Sequence, residues 1–190
     1  EAVSGKSFEE YLKEKIFDPL EMTRTTFTLK RDMEKDLATM YEFDENGGRV
    51  MSRDIVVNKR EGSDFKAELG GQGLLSTVND MLNFITMYAM GGTNKGHRIL
   101  SRNTIDLIRE NHLEGEALQD MKAVTRRSWP WYEGYGWGLG CRTLISKTQA
   151  GSNGSLGEFG WCGASGTYFL ADPEKQLAIA YAHQLWPCSN

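Results

Sequence analysis

Hydrophobic positions recur at helical intervals near the start of the chain. Ser7 and Glu10 have the spacing of a capping box, which predicts an amphipathic helix over residues 7–17. Asp18-Pro19 ends this helix, because the residue before a proline is driven away from helical conformation. The apolar positions of the predicted helix are Phe8, Tyr11, Leu12 and Ile16.

Two further helices are predicted in the middle of the chain. Thr77 and Asp80 cap the first of them, and Gly91-Gly92 stops it. Ser101 caps the second. The predicted apolar side is Met81, Leu82, Phe84, Ile85, Tyr88 and Ala89 in the first, and Ile105, Leu107 and Ile108 in the second.

The end of the chain interleaves glycine with aromatic and aliphatic residues, a pattern typical of strands. We predict strands over residues 135–140, 157–171 and 177–182, the last two joined by a turn at Asp172-Pro173. Glycine inside a strand lowers stability, so it usually marks a bulge or the close approach of a ligand. The hairpin from Gly157 onward is therefore interpreted as one wall of a binding cleft. An ordinary core hairpin is the alternative.

Residues 23–72 are polar and irregular, with few periodic positions. Asn46-Gly47-Gly48 is a turn signal that predicts a short hairpin between residues 38–43 and 50–52. Loops of this length are usually functional or run over another part of the protein.

Helices followed by antiparallel strands predict an α+β fold, with helices packed on an antiparallel sheet. We find neither an internal repeat nor a linker, so residues 1–190 are interpreted as a single domain. A three-stranded sheet is small for this length and would leave an edge exposed. The pattern therefore indicates that part of the domain is missing.

Composition excludes several classes of function. The net charge of −4 and the absence of a basic run argue against nucleic-acid binding. No apolar run reaches the length of a membrane span, and the first residues do not form a signal peptide. Three histidines lie far apart, so a histidine-based metal site is not expected. We expect no cofactor.

The three cysteines, Cys141, Cys162 and Cys188, lack metal-ligand spacing. Their odd number leaves at least one unpaired within the chain. Scattered thiols are compatible with a reducing compartment, but localisation stays open.

Four ordered blocks together resemble the serine β-lactamase-like superfamily. This superfamily comprises class C β-lactamases, D-alanyl-D-alanine peptidases and the related family VIII esterases. The resemblance covers nearly the whole chain. The matching blocks are Ser7-Phe8-Glu9-Glu10-Tyr11-Leu12 with residues 16–25, Gly71-Gln72-Gly73-Leu74-Leu75-Ser76-Thr77-Val78-Asn79-Asp80, Gly134-Tyr135-Gly136-Trp137-Gly138-Leu139-Gly140, and the Gly-rich strand with its Asp-Pro turn over residues 157–173.

The resemblance implies a Ser-x-x-Lys motif, a Tyr-x-Asn or Ser-x-Asn loop, and a strand motif of the Lys-Thr-Gly or His-x-Gly type. Family members carry the first two motifs before the helix that begins here at Ser7. We therefore expect the catalytic Ser, Lys and Tyr upstream of Glu1, and no catalytic side chain within this chain. The terminal helix of the family would follow Asn190. The chain is interpreted as an internal fragment with an incomplete β-lactamase/transpeptidase-like fold.

Three short matches to these motifs are decoys. Ser63-Asp64-Phe65-Lys66 matches Ser-x-x-Lys, but twelve serines and eleven lysines produce roughly 0.7 such matches by chance. Ser101-Arg102-Asn103 matches Ser-x-Asn, although a helix cap explains it. Lys147-Thr148-Gln149 lacks the glycine of the strand motif.

The strand motif corresponds to Trp161-Cys162-Gly163. By resemblance, these residues bind substrate and the backbone N–H of Ala164 is one half of an oxyanion hole. By resemblance, Trp161 stands where lactamases and peptidases have a cation that binds the substrate carboxylate. Without this charge-assisted contact, the binding free energy of a carboxylate is weaker by about 1.5–3 kcal/mol. A tryptophan here resembles the esterase branch; a purely structural core tryptophan is the alternative. Cys162 is interpreted as structural, because no histidine is near it in sequence.

The leading hypothesis is part of a serine hydrolase that acts on a small acyl or ester substrate through an acyl-enzyme, with the fragment itself inactive. A β-lactamase or D-alanyl-D-alanine carboxypeptidase is one alternative. A catalytically dead binding domain is another. The uncovered sheet further predicts that the fragment self-associates or pairs with its missing N-terminal part.

Overall fold

The structure, a computed structural model, describes residues 1–51, 59–65, 67–125 and 132–186. Its helices are α1 (Phe8–Leu12), α2 (Val78–Ala89), α3 (Arg102–Arg109), α4 (Gly115–Thr125) and α5 (Lys147–Ala150), with a π-helical turn at Lys13–Phe17 and a 3₁₀ turn at Arg31–Asp36. Its strands are β1 (Thr28–Leu29), β2 (Tyr41–Phe43), β3 (Arg49–Met51), β4 (Lys59–Arg60), β5 (Thr93–Asn94), β6 (His97–Arg98), β7 (Tyr135–Trp137), β8 (Arg142–Leu144), β9 (Phe159–Cys162), β10 (Tyr168–Asp172), β11 (Leu177–Tyr181) and β12 (Leu185–Trp186).

The main sheet has five antiparallel strands in the order β11-β10-β9-β8-β7. Helices packed on this antiparallel sheet confirm the predicted α+β class. The prediction of three strands was wrong in number. The sequence pattern missed β8 because all three of its residues are buried, so it shows no alternation of polar and apolar positions.

The Gly-rich stretch predicted as one strand is two strands. A turn at residues 163–167 separates β9 from β10, which pair directly, with Leu170 opposite Gly160. Gly166 takes a φ of +88° in this turn, a conformation that favours glycine. The glycines thus mark a reversal of the chain here, where the sequence pattern suggested continuity.

The strand predicted over residues 135–140 ends at Trp137. The N–H of Gly138 donates to the carbonyl of Cys141 at 2.8 Å and closes the turn into β8. A side chain on Gly138 would collide with the carbonyl of Ile108, so this glycine allows α3 to lie close to the turn. The helix α4 was not predicted, because it exposes most of its length.

The helices α2 and α3 form one side of the core, with α2 against β10 and β11. Tyr88 contacts Phe159 at a ring-centroid distance of 5.2 Å. Burial raises the pKa of Tyr88 to about 12, and Cys141 beside it adds to this shift. The predicted caps of α2 and α3 are present. Two predicted core positions, Leu82 and Leu107, are instead exposed.

The first helix is capped as predicted. Ser7 accepts a hydrogen bond from the N–H of Glu10, whose carboxylate accepts one from the N–H of Ser7 at 2.9 Å. Helical structure continues as the π-helical turn and buries Phe17, whereas Tyr11 is 42% exposed. The apolar side of this helix is therefore narrower than its sequence indicates.

Residues 23–72 contain only short elements in the described part. The hairpin of β2 and β3 is close to its prediction, although Ser52 lies outside the described residues. β2 also pairs in parallel with β12. Lys66 and Cys188 of the sequence analysis likewise lie outside the described residues.

The face of the main sheet opposite α2 is partly uncovered at the edge strand β11. Leu177, Ile179 and Tyr181 alternate along this strand and are 41–55% exposed, whereas the intervening alanines face α2. This exposure is the uncovered apolar face that the sequence predicted. Within the described ranges, no helix is both long and apolar enough to cross a membrane.

Candidate functional site

The predicted site residues lie at the end of β9 and in the turn that follows. Trp161 and Cys162 are the last two residues of β9, Gly163 begins the turn, and Ala164 is its first exposed residue. The structure thus keeps the four residues contiguous at one end of the main sheet.

Two backbone hydrogen bonds define the turn. The N–H of Gly163 donates to the carbonyl of Thr167 at 2.7 Å, and the N–H of Gly166 donates to the carbonyl of Gly163 at 3.0 Å. A three-residue loop that ends in a left-handed glycine is a common hairpin connection. The two bonds fix Gly163 and Gly166, and Ala164 lies between them.

The N–H of Ala164 takes part in neither of these bonds. Because Ala164 is exposed at the loop, its N–H is available to a ligand at the end of the strand. A backbone donor held between two fixed residues has the preorganisation that an oxyanion hole requires.

Gly163 is confined by its neighbour across the turn. A side chain on Gly163 would collide with the hydroxyl of Thr167. The group that lies close to the backbone of this glycine is therefore a side chain of the same hairpin. Cys162 lies directly opposite Tyr168, is half-buried and forms no disulfide within the described residues.

Trp161 is half-buried in an aromatic cluster. Its indole meets the indole of Trp137 edge to face at 4.6 Å, and the ring of Tyr132 at 5.9 Å. Tyr132 is almost fully buried, and burial raises its pKa, to which Cys162 adds. The indole therefore has a fixed orientation, while part of its surface stays open. The neighbouring Trp129 and Trp131 lie outside the described residues.

A buried guanidinium lies on the neighbouring strand. Arg142 of β8 is opposite Gly160 and is 2% exposed. Its guanidinium stacks over Tyr135 at 4.1 Å and lies 5.2 Å from the ring of Tyr168, to whose hydroxyl it donates a hydrogen bond. Burial raises the pKa of Tyr168, partly opposed by this cation. Arg142 was not predicted as a site residue. A charged residue beside a strand of glycine and aromatic residues is the signal that could have identified it.

A buried carboxylate lies in the same cluster of polar side chains as this guanidinium. The hydroxyl of Tyr135 donates to Glu158 at 3.1 Å, and Glu158 is 4% exposed.

The thiol of Cys141 donates to the carbonyl of Ile108, and burial raises its pKa to about 11, so the thiolate is disfavoured. Cys141 is therefore structural.

The three decoy matches stay outside this site. Ser63 follows β4 and accepts a hydrogen bond from the N–H of Arg60 at 3.3 Å. Ser101 caps α3, as predicted. Lys147 begins α5, whose cap is Ser146. None of them lies on β9 or its turn.

Two surface clefts of about 290 and 420 Å³ border α3 and share Asp106, Arg109 and Leu156. Neither is lined by Trp161, Cys162, Gly163 or Ala164, so the strand end is a separate feature. Within the described part of the chain, no cluster of three His, Cys, Asp or Glu side chains is arranged to hold a metal ion.

Comparison with known proteins identifies relatives of this chain. A family model described as Beta-lactamase matches residues 1–187. Protein Rv1367c of Mycobacterium tuberculosis (strain ATCC 25618 / H37Rv) is 31% identical over 179 residues, which are 93% of this chain and 43% of that protein. The chain thus spans less than half the length of the curated relatives it matches.

Solved structures show the same fold at low sequence identity. Simvastatin synthase (LovD) from Aspergillus terreus aligns over 97% of this chain and 46% of its own, with a TM-score of 0.77 and 20% identity. EstCE1, described as a hydrolase with promiscuous acyltransferase activity, aligns over 97% and 47%, with a TM-score of 0.72 and 22% identity. These likenesses concern the fold, and the family follows from the match over residues 1–187: the chain belongs to the beta-lactamase family.

Proposed function

We propose that this chain forms the oxyanion-hole side of a serine hydrolase that acts on esters or related acyl compounds through an acyl-enzyme. The observation that carries the proposal is the N–H of Ala164, which the two bonds of its turn leave available beside Trp161. The names of two proteins that share the fold, a simvastatin synthase and a hydrolase with acyltransferase activity, are compatible with acyl transfer.

In this proposal, the nucleophilic serine lies in sequence before Glu1, together with its lysine and tyrosine partners. The serine oxygen attacks the ester carbonyl, and its proton passes to the base. The N–H of Ala164 and the N–H of the serine itself stabilise the oxyanion as negative charge develops. The alkoxide leaves with a proton, and water then releases the acyl group by the reverse sequence of transfers.

The uncharged side chain of Trp161 favours an ester substrate over a substrate that carries a carboxylate. Its indole has one N–H donor and no charge, so it cannot form an ion pair with a substrate carboxylate. Arg142 does not replace the missing cation, because its guanidinium is buried between Tyr135 and Tyr168. A neutral acyl or ester substrate requires no cation at this place.

The test uses the full-length protein with p-nitrophenyl butyrate, nitrocefin and a D-alanyl-D-alanine peptide. We expect burst hydrolysis of the ester, with labelling by a fluorophosphonate on a serine before Glu1, located by mass spectrometry. Preferred turnover of nitrocefin or the peptide would favour the lactamase or peptidase alternative. Absence of both labelling and turnover would favour a binding domain without catalytic activity.

A second measurement concerns residues 1–190 alone. We expect this piece to be inactive on the ester, because the nucleophile is proposed to lie outside it. Ester turnover by the piece that is abolished in Ser63→Ala would overturn this placement. Ser152→Ala is the matched control, because it also removes a loop hydroxyl.

A further inference from the structure

We propose that His183 is a positioning residue, which holds the turn that presents the N–H of Ala164. The inference rests on the proposed function and deepens it. His183 follows β11 and precedes β12, in a segment that the sequence analysis did not connect to the site.

The imidazole of His183 lies against Gly166. A side chain built on Gly166 would overlap three ring atoms of His183, so the ring packs directly on the glycine backbone. Gly166 also has a φ of +88°, which a side chain would strain. The turn therefore needs glycine at this position for two reasons, and one of them is the histidine.

The ring of His183 is itself held in place. Its Nδ1 lies 2.9 Å from the hydroxyl of Tyr181, and the two rings meet edge to face at 5.4 Å. Its Nε2 is buried and has no hydrogen-bond partner among the described residues. The imidazole thus has one polar anchor on β11, and its other edge packs on the turn.

The backbone after His183 binds the turn at a second point. The N–H of Leu185 donates to the carbonyl of Ser165 at 3.2 Å. On its other side, this segment is fixed to β2, because the N–H of Tyr41 donates to the carbonyl of Gln184 at 2.9 Å. Residues 183–186 therefore connect the turn to the β2–β3 hairpin.

These contacts determine where the N–H of Ala164 points. The two hydrogen bonds inside the hairpin close the loop, but they do not set its angle to the sheet. The contacts with His183 and Leu185 set that angle. An oxyanion donor acts through its exact position, because it must meet the charge that develops in the transition state. Small displacements lower the rate of reaction while ground-state binding is kept.

The experiment compares His183→Ala in the full-length protein with His97→Ala, which removes an exposed imidazole from β6. With p-nitrophenyl butyrate, we expect kcat to fall by about 10- to 100-fold with KM nearly unchanged. Affinity for a phenylboronic acid, which forms a tetrahedral adduct with the serine, should fall by a similar factor. His183→Asn, which keeps a polar group toward Tyr181, should recover part of both losses.

A purely structural role predicts a different result. His183→Ala would then lower Tm but leave kcat and boronate affinity unchanged well below Tm, and this outcome overturns the proposal. A change in KM alone also overturns it, since it would indicate direct substrate contact.

A readout without turnover separates this inference from the proposed function. Amide hydrogen exchange over residues 163–167 should accelerate in His183→Ala and stay unchanged in His97→Ala. Unchanged exchange in His183→Ala overturns the inference even if the ester is hydrolysed. If exchange is faster in His183→Ala while the wild-type protein lacks ester turnover, the hold on the turn is supported and the hydrolase is refuted.

A second variant covers the possibility that His183→Ala does not fold. Gly166→Ala places a methyl group against the imidazole and alters the same contact from the side of the turn. We expect the same selective loss of kcat. Gly151→Ala is the matched control, because this residue also has a positive φ, of +61°, but a side chain there would meet no other atoms.

Discussion

The indoles of Trp161 and Trp137 meet edge to face, with ring centroids 4.6 Å apart and ring planes at 85°. Trp161 belongs to the candidate site, whereas Trp137 ends the edge strand β7. The contact therefore connects the site to the far edge of the main sheet. Such aromatic pairs contribute about 0.5–1.5 kcal/mol beyond the apolar area that they bury.

Replacement of Trp137 should release Trp161. In Trp137→Leu, we expect the free energy of unfolding to fall by about 1–3 kcal/mol, from lost aromatic contact and lost volume. Urea unfolding of the single variants and of the double variant with Trp161→Leu would measure their coupling. A coupling energy below about 0.3 kcal/mol would contradict a direct contact, because additive effects are the rule for separated sites.

Asp172 should be a stabilising residue of the β10–β11 turn. Its carboxylate accepts hydrogen bonds from the backbone N–H groups of Ser155, Glu174 and Lys175 at 3.0–3.2 Å and is almost fully buried. Asparagine can accept on one side only, so we expect Asp172→Asn to lower the free energy of unfolding by about 1.5–3 kcal/mol. Asp18→Asn, at an exposed carboxylate, should lower it by less than about 0.5 kcal/mol. Equal effects would refute this role.

The same carboxylate predicts a dependence of stability on pH. Burial alone would raise the pKa of Asp172, but the N–H donors of Ser155 and Lys175 outweigh it and hold the pKa below its usual value of 3.8. A carboxyl with a lowered folded-state pKa stabilises the protein above its unfolded pKa, and this contribution is lost as pH falls through the folded pKa. The difference in unfolding free energy between wild type and Asp172→Asn should therefore shrink as pH falls below about 4. A difference that stays constant down to pH of about 2.5 would contradict this.

Glu9 and Glu10 are neighbours with different roles, which makes them a matched pair. Glu9 accepts hydrogen bonds from the N–H of Phe27 at 2.8 Å and from the hydroxyls of Thr26 and Thr28, so it ties α1 to β1. Glu10 completes the exposed capping box. We expect Glu9→Ala to lower the free energy of unfolding by about 2–4 kcal/mol and Glu10→Ala by about 0.5–1 kcal/mol. Thermal unfolding of both variants checks the order, and the reverse order would contradict it.

We propose that the uncovered face of β11 makes residues 1–190 self-associate. Leu177, Ile179 and Tyr181 form an exposed apolar row at the edge of the main sheet. Ile179→Lys should reduce the mass measured by light scattering, because a charge on an edge strand opposes association. Val124→Lys, which replaces an exposed apolar residue on α4, should leave the mass unchanged. A wild-type piece that is monomeric at the same concentration would refute the proposal.

Much of the fold could be predicted from short-range patterns. The caps at Ser7, Thr77 and Ser101 depend on residues three positions apart, and all three are present. The hairpin around Asn46-Gly47-Gly48 has the same local origin. Predictions failed where the signal was not local, as in β8, whose burial on both faces removes the alternation that identifies a strand.

Residue type and short spacing were sufficient to predict the family resemblance, the helix starts and the grouping of Trp161, Cys162, Gly163 and Ala164. The three-dimensional structure was needed to find that the Gly-rich stretch reverses at residues 163–167, and that Trp137, Arg142 and His183 lie around it. Those contacts depend on strand register and on chain segments far apart in sequence. The pairing of segments far apart in sequence is not visible in a local pattern, so these neighbours of the site could be identified only once the strands were paired.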